Sequence, residues 1–108
     1  MPNEIILSVT LDSKATIVSF SDTDSCITGY EASEVIGKNW FEVFISKQNT
    51  QEIQNVFENF FMGDLSYWEY ENSITCKDGT HKHLKWQNAL KRNLNNDPIA
   101  VYCEAYLD

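Results

Sequence analysis

His81 and His83 stand two residues apart, the spacing that sends both imidazoles to one side of an extended chain, and they are the only histidines among 108 residues. Two such nitrogens could chelate a divalent metal if a third ligand joined them. No cysteine or carboxylate at matching spacing completes the set, so both rings are expected to lie outside, in the basic stretch around them. Cys26, Cys76 and Cys103 are odd in number and far apart. With no CxxC pair they suggest neither a zinc site nor a redox dithiol, and buried reduced thiols of a cytosolic protein are the expectation. Nucleophilic catalysis finds no support either. No serine, histidine and aspartate share an elbow, and Gly29, Gly37, Gly63 and Gly79 form no phosphate-cradling loop. The acidic residues, 16 in all, include no pair set apart as acid and base. The chain is not expected to be an enzyme in its own right.

Charge narrows the partners. The formal net charge is −8, with 16 acidic against 8 basic residues, the wrong sign for a general nucleic-acid binder. Lys77, Lys82, Lys85, Lys91 and Arg92 crowd into sixteen residues around Trp86, which reads as a solvated strand edge guarded by lysine against other sheets. Hydrophobic residues at 43% and aromatics at 13% suffice for one packed core, so residues 1–108 are read as a single domain. No apolar run approaches a membrane span, and no charged-then-apolar leader opens the sequence. A cytoplasmic domain without direct membrane contact is expected.

The elements that would position these side chains follow from periodicity. Ile5 to Leu11 and Thr16 to Phe20 read as a strand hairpin turning at Asp12-Ser13-Lys14-Ala15. Ser21, Asp22 or Thr23 can cap a short helix through Ile27, ended by Gly29. Ser33-Glu34 begins another short helical turn, closed by Gly37. Asn49 to Met62 is the one long helix: Ile53, Val56, Phe57, Phe60 and Phe61 recur at three and four residues, with Asn49 or Thr50 as cap and Gly63-Asp64 as stop. Trp68 to Cys76, a Lys77-Asp78-Gly79 turn and His81 to Leu90 make a long hairpin. Asn93 to Pro98 is a polar loop, and Ile99 to Leu107 is the last strand. Strands flanking a block of helices, without strict alternation, predict an α+β fold: an antiparallel sheet with helices on one face.

Several short motifs fall along this outline. Thr28-Gly29-Tyr30 and Ile36-Gly37-Lys38-Asn39-Trp40 lie within the stretch from Asp22 to Phe44. Tyr70-Glu71-Asn72, the Lys77-Asp78-Gly79-Thr80 turn, Leu84-Lys85-Trp86 and a closing Leu107-Asp108 follow. In order and spacing they resemble a PAS sensor domain, over about Asp12 to Asp108. The resemblance implies a five-stranded sheet of order 2-1-5-4-3, with the last strand central. It implies a sensory and dimerisation module that binds a small ligand and relays its state through Asp108, the signal exit. The chain would then be a fragment of a longer bacterial-type signalling protein, of the two-component kind for example. Its C-terminal effector would be a histidine kinase, a cyclic-dinucleotide enzyme or a transcription factor.

The resemblance also bears on the site. Leu84 and Trp86 mark the inner side of their strand, which brings Asn88 inward; the same parity turns Tyr70, Asn72 and Ile74 inward on the preceding strand. On the last strand, alternation alone would bury Val101, Cys103, Ala105 and Leu107 and expose Tyr102, Glu104 and Tyr106. The family pattern implies the reverse, and that reverse is the expectation adopted. The pocket set is then Trp40, Phe57, Tyr70, Asn72, Ile74, Leu84, Trp86, Asn88, Tyr102, Glu104 and Tyr106. Asn72, Asn88 and Glu104 would orient a small polar ligand in an aromatic box, with Glu104 paired or neutral. Val101, Cys103, Ala105 and Leu107 would form an outer dimer face with the amino-terminal strand. The alternative is a filled core whose polar groups satisfy one another, in a structural interaction module without ligand. The cofactor is open. Flavin-adduct members of the family place a reactive cysteine after the asparagine of an Asn-Cys pair, where Trp40 follows Asn39. Haem-binding members use a histidine on the long helix, which residues 49–62 lack. Ser21 stands where the family often has asparagine, and keeps a capping oxygen. No metal site is expected.

Overall fold

Leu7, Val9 and Leu11 are buried while Ser8, Thr10 and Asp12 are half-buried along β1 (Leu7–Asp12), the alternation of a strand with a single apolar face. The computed structural model describes residues 5–23 and 27–107. The Asp12 carboxylate accepts from the backbone N–H groups of Lys14 and Thr16, both at 2.9 Å, and Ala15 adopts a left-handed φ of 61°. This turn brings β2 (Ile17–Asp22) antiparallel to β1.

The helices follow. α1 (Ala32–Val35) begins at Glu31 with a reciprocal capping box to Glu34. α2 (Trp40–Phe44) is capped by Asn39, whose Oδ1 accepts from Phe41 N at 2.9 Å and Glu42 N at 3.3 Å. This five-residue helix was not legible as a separate element. α3 (Thr50–Phe61) turns its apolar stripe to the sheet. Asn49 precedes it without a side-chain cap, and the Thr50 hydroxyl donates to Ser46 O at 3.0 Å. α3 stops where Gly63 N donates to Phe60 O and Asp64 N to Asn59 O, with Gly63 at φ 108°. That pair of hydrogen bonds around a left-handed glycine ends a helix by satisfying its last carbonyls. The short helix expected to run through Ile27 falls partly on residues outside those described, as does Cys26.

A 3-10 turn at Leu65–Tyr67 leads into β3 (Glu69–Thr75), β4 (His81–Arg92) and β5 (Pro98–Leu107). All five strands form one antiparallel sheet in the order β2-β1-β5-β4-β3, so the last strand lies at the centre. The core sits between one face of this sheet and the helices, around Leu7, Val9, Ile17, Val35, Phe44, Ile74, Leu84 and Ala105.

The motifs meet in space. Gly37 N donates to Ile17 O, Ile17 N to Lys38 O, and Trp40 N to Ala15 O, so Ile36-Gly37-Lys38-Asn39-Trp40 seals the open end of the first hairpin. The Asp22 carboxylate accepts from Thr28 N at 2.8 Å and from the Thr28 hydroxyl at 2.7 Å, which satisfies that buried side chain. Thr28 O accepts from Lys77 N at 2.8 Å, and Lys77 pairs with Glu34. The Thr28-Gly29-Tyr30 turn is thus docked on the Lys77-Asp78-Gly79-Thr80 turn.

The face of β5 is the reverse of the one expected. Val9 pairs with Cys103, Leu11 with Val101 and Leu7 with Ala105; across the strand, Trp86 pairs with Ala105 and Leu90 with Val101. Directly paired residues share a face, so the inward residues of both neighbours carry Val101, Cys103 and Ala105 beneath the helices. Val101 and Ala105 are buried in the core. Tyr102, Glu104 and Tyr106 lie half-buried on the outer face, where the Tyr102 hydroxyl donates to Glu104 Oε2 at 3.1 Å and the Tyr106 hydroxyl to Gln87 Oε1 at 3.3 Å. A dimer face built from Val101, Cys103 and Ala105 is therefore ruled out, because those side chains are core. Leu107 ends β5 opposite Leu84, and Asp108 lies outside the described residues.

Candidate ligand cavity

A cavity of about 70 Å³ lies between sheet and helices. The sheet contributes Val9 and Leu11 from β1, Tyr70 and Asn72 from β3, Trp86 and Asn88 from β4, and Val101 and Cys103 from β5. The helices contribute Trp40 and Phe41 from α2, and Ile53, Val56, Phe57 and Phe60 from α3. The α3 residues recur at three and four, so one face of that helix supplies all four of them.

Aromatic rings fix the shape. Trp40 meets Trp86 edge-on at 5.5 Å, Phe41 meets Phe57 edge-on at 5.9 Å, and Trp40 packs on Phe44 at 4.5 Å. These offset and edge-on contacts are the ones that the ring quadrupole favours. Trp86 Nε1 donates to Asn72 Oδ1 at 2.6 Å, and Asn88 Nδ2 donates to Tyr67 O at 3.1 Å. Each amide is thus anchored through one group. The Tyr70 hydroxyl donates to Glu52 Oε2 at 2.9 Å, tying β3 to the first turn of α3. Burial, then the Glu52 carboxylate, pushes the Tyr70 hydroxyl up to about 12. Burial also pushes the Cys103 thiol up to about 12, which leaves it protonated and a poor nucleophile at neutral pH.

Of the residues expected at the pocket, Trp40, Phe57, Tyr70, Asn72, Trp86 and Asn88 come together around this space. Ile74 and Leu84 are fully buried in the core beside it without lining it. Tyr102, Glu104 and Tyr106 are on the other face of the sheet. Val9, Leu11, Phe41, Ile53, Val56, Phe60, Val101 and Cys103 were not anticipated as lining. For Ile53, Val56 and Phe60 the signal was present, because they share the α3 stripe with Phe57. His81 and His83 are exposed on the outer side of β4, where His83 Nε2 meets Glu71 Oε1 at 3.0 Å. No group of three or more His, Cys, Asp or Glu that could hold a metal ion occurs among the described residues.

A PAS-domain family model matches residues 2–89, and the chain belongs to the PAS domain family. Comparison with curated proteins gives no match. Among solved structures, the PAS domain of the Cronobacter turicensis RpfR quorum-sensing receptor is similar over 98% of this chain and 94% of that one, at 23% identity. It is known in complex with BDSF (TM-score 0.71) and with C12:0 (TM-score 0.72). Drosophila melanogaster Cycle PAS-B with bound ethylene glycol superposes at a TM-score of 0.77 and 10% identity, over 94% of this chain and 99% of that one. The PAS domain of a Colwellia psychrerythraea protein reaches 0.78 at 14% identity, over 94% and 85%. PAS domains are in general non-catalytic sensory modules. No helix among the described residues is long and apolar enough to cross a membrane.

Proposed function

We propose that this sensory domain binds a small, largely apolar molecule in the cavity between sheet and helices and passes its occupancy to a C-terminal effector of the same chain. The observation that carries the reading is the cavity itself. Hydrocarbon and aromatic groups surround it, with two anchored amides at one wall, the composition of a ligand site. The expectation of a polar ligand gripped by Glu104 gives way to this one, because that carboxylate is across the sheet. The C12:0 complex of the RpfR domain supports a fatty acid as the kind of molecule taken up. A ligand shifts the signalling state only as far as it binds one packing of α3 on the sheet more tightly than another.

A second copy of the chain is the proposed partner in signalling, on the outer face of the sheet, where Tyr102 and Tyr106 offer rings with polar tips of the kind enriched at interfaces. The proposed setting is cytoplasmic. The rival reading, an interaction module without ligand, draws on Trp86 and Asn72 satisfying one another and on the absence of unpartnered buried side-chain nitrogen or oxygen among the described residues. Native mass spectrometry of freshly purified protein decides between them. A co-purified small molecule, or a stoichiometric adduct with added decanoate, is the expected result. A bare mass under both conditions would favour the interaction module.

A further inference from the structure

Phe60 and Asn88 each belong to two spaces. On one side they line the internal cavity, and on the other they line an open groove with Trp68, Leu90 and Arg92 at the end of the sheet that α3 leaves uncovered. Trp68 is 50% exposed although it stands next to this apolar surface. Arg92 lies on the helix side of the sheet, since its Nη2 is 3.8 Å from where a Cβ on Gly63 would be. Its Nη1 donates to Asn96 O at 2.9 Å, and it forms no ion pair among the described residues. Asp64, next to Gly63, makes no ion pair with Arg92; its Oδ1 accepts from Ser66 N at 3.2 Å and from the Ser66 hydroxyl at 2.6 Å. In a chain of net charge −8, this leaves a cation with donors to spare at the rim of an apolar groove.

We infer that the groove is the outer half of the ligand site: a single-chain carboxylate lies with its tail in the cavity, passes between Phe60 and Asn88, and sets its head group against Arg92. The inference rests on the ligand reading above and assigns the polar end that the cavity lacks. A cavity of about 150 Å³ takes a six-carbon ring, so one of about 70 Å³ takes about three methylene-sized units. A longer chain must leave it, and the Phe60–Asn88 partition is where a second apolar surface begins. The guanidinium is exposed, so it contributes modest selectivity rather than most of the affinity.

Calorimetric titration at low salt with decanoate and with 1-decanol tests this. The wild type is expected to prefer the carboxylate by about fivefold. Arg92→Gln removes that preference while leaving decanol binding within about twofold, and Arg92→Lys retains most of it. Lys91→Gln removes the same charge one residue away, where the ammonium lies over the Tyr102 ring on the outer face, and keeps the wild-type ratio. An unchanged ratio in Arg92→Gln, or an equal loss in Lys91→Gln, overturns the assignment while leaving the cavity reading intact. Loss of decanol binding in Arg92→Gln overturns it too, since the residue would then support the fold. A wild type that binds neither probe removes the cavity reading and this inference with it.

Discussion

Trp86 on β4 donates its indole N–H to the side-chain oxygen of Asn72 on β3 at 2.6 Å, a diagonal bond to the residue two beyond its direct partner Tyr70. The bond crosses the floor of the cavity and holds the Trp86 ring edge-on to Trp40. Asn72→Ala would leave a buried donor unpaired and is expected to cost about 1–3 kcal/mol. Asn72→Asp, which keeps the acceptor, should cost less. Denaturant titration followed by tryptophan fluorescence measures both, and equal stability of Asn72→Ala and wild type would show that the indole finds another partner.

Ala105 is fully buried between Leu7 and Trp86. Ala105→Glu is expected to destabilise the domain by about 3–5 kcal/mol, because a carboxylate there has no partner. Ala89→Glu, exposed on the other face, should stay within about 0.5 kcal/mol of wild type. Thermal melts of the two variants distinguish the faces of the sheet directly. An Ala105→Glu variant as stable as Ala89→Glu would contradict the strand parity.

Tyr70 supplies a pH signature. Its folded pKa is raised to about 12, by burial first and by the Glu52 carboxylate second, against about 10 for a free tyrosine. The folded state therefore holds this proton more tightly than the unfolded chain. The resulting stability is fully present below about pH 10 and is lost as pH rises toward 12. Ultraviolet titration of wild type minus Tyr70→Phe should show one tyrosinate appearing late. An inflection near 10 in that difference would mean that the Tyr70 hydroxyl is neither buried nor bonded to Glu52 in solution.

Cys103 borders the empty space on the sheet side. Cys103→Met would fill part of it, raising stability by about 1 kcal/mol at the usual dependence on cavity volume and weakening decanoate binding at least tenfold. Differential scanning fluorimetry with and without decanoate reads both effects. A less stable variant that binds as well as wild type would show that the site repacks around the larger side chain.

How far these sites were legible depended on which physical signal marked them. Leu84 and Trp86 announced the inner face of β4 by residue type alone, and the α3 stripe did so by its period. On β5 the plain alternation of Val101, Cys103 and Ala105 with Tyr102, Glu104 and Tyr106 was the correct guide, and the family analogy laid over it misled. Tyrosine made the error easy. Its ring suits a pocket as well as a half-covered surface, so residue type did not discriminate, whereas pairing to Leu7, Val9 and Leu11 does. α2 escaped notice because five residues give no period, although Asn39 carried a cap signal. The cavity was expected from the family resemblance alone, and its size could not be read, since a void arises from how Trp40, Phe57 and Trp86 meet in space, not from any run of sequence.

The place of β5 has a consequence for biosynthesis. The β1–β2 and β3–β4 hairpins share no strand pairing with each other; each pairs with β5 instead. A chain emerging from the ribosome can close both hairpins and wind α3, yet its two half-sheets remain unjoined until residues 98–107 follow. Until then the inner edges of β1 and β4 are open templates for a neighbouring nascent chain. A stall or truncation before Pro98 should thus yield species prone to pairing edge to edge, a hazard that the final ten-residue strand removes by covering both edges.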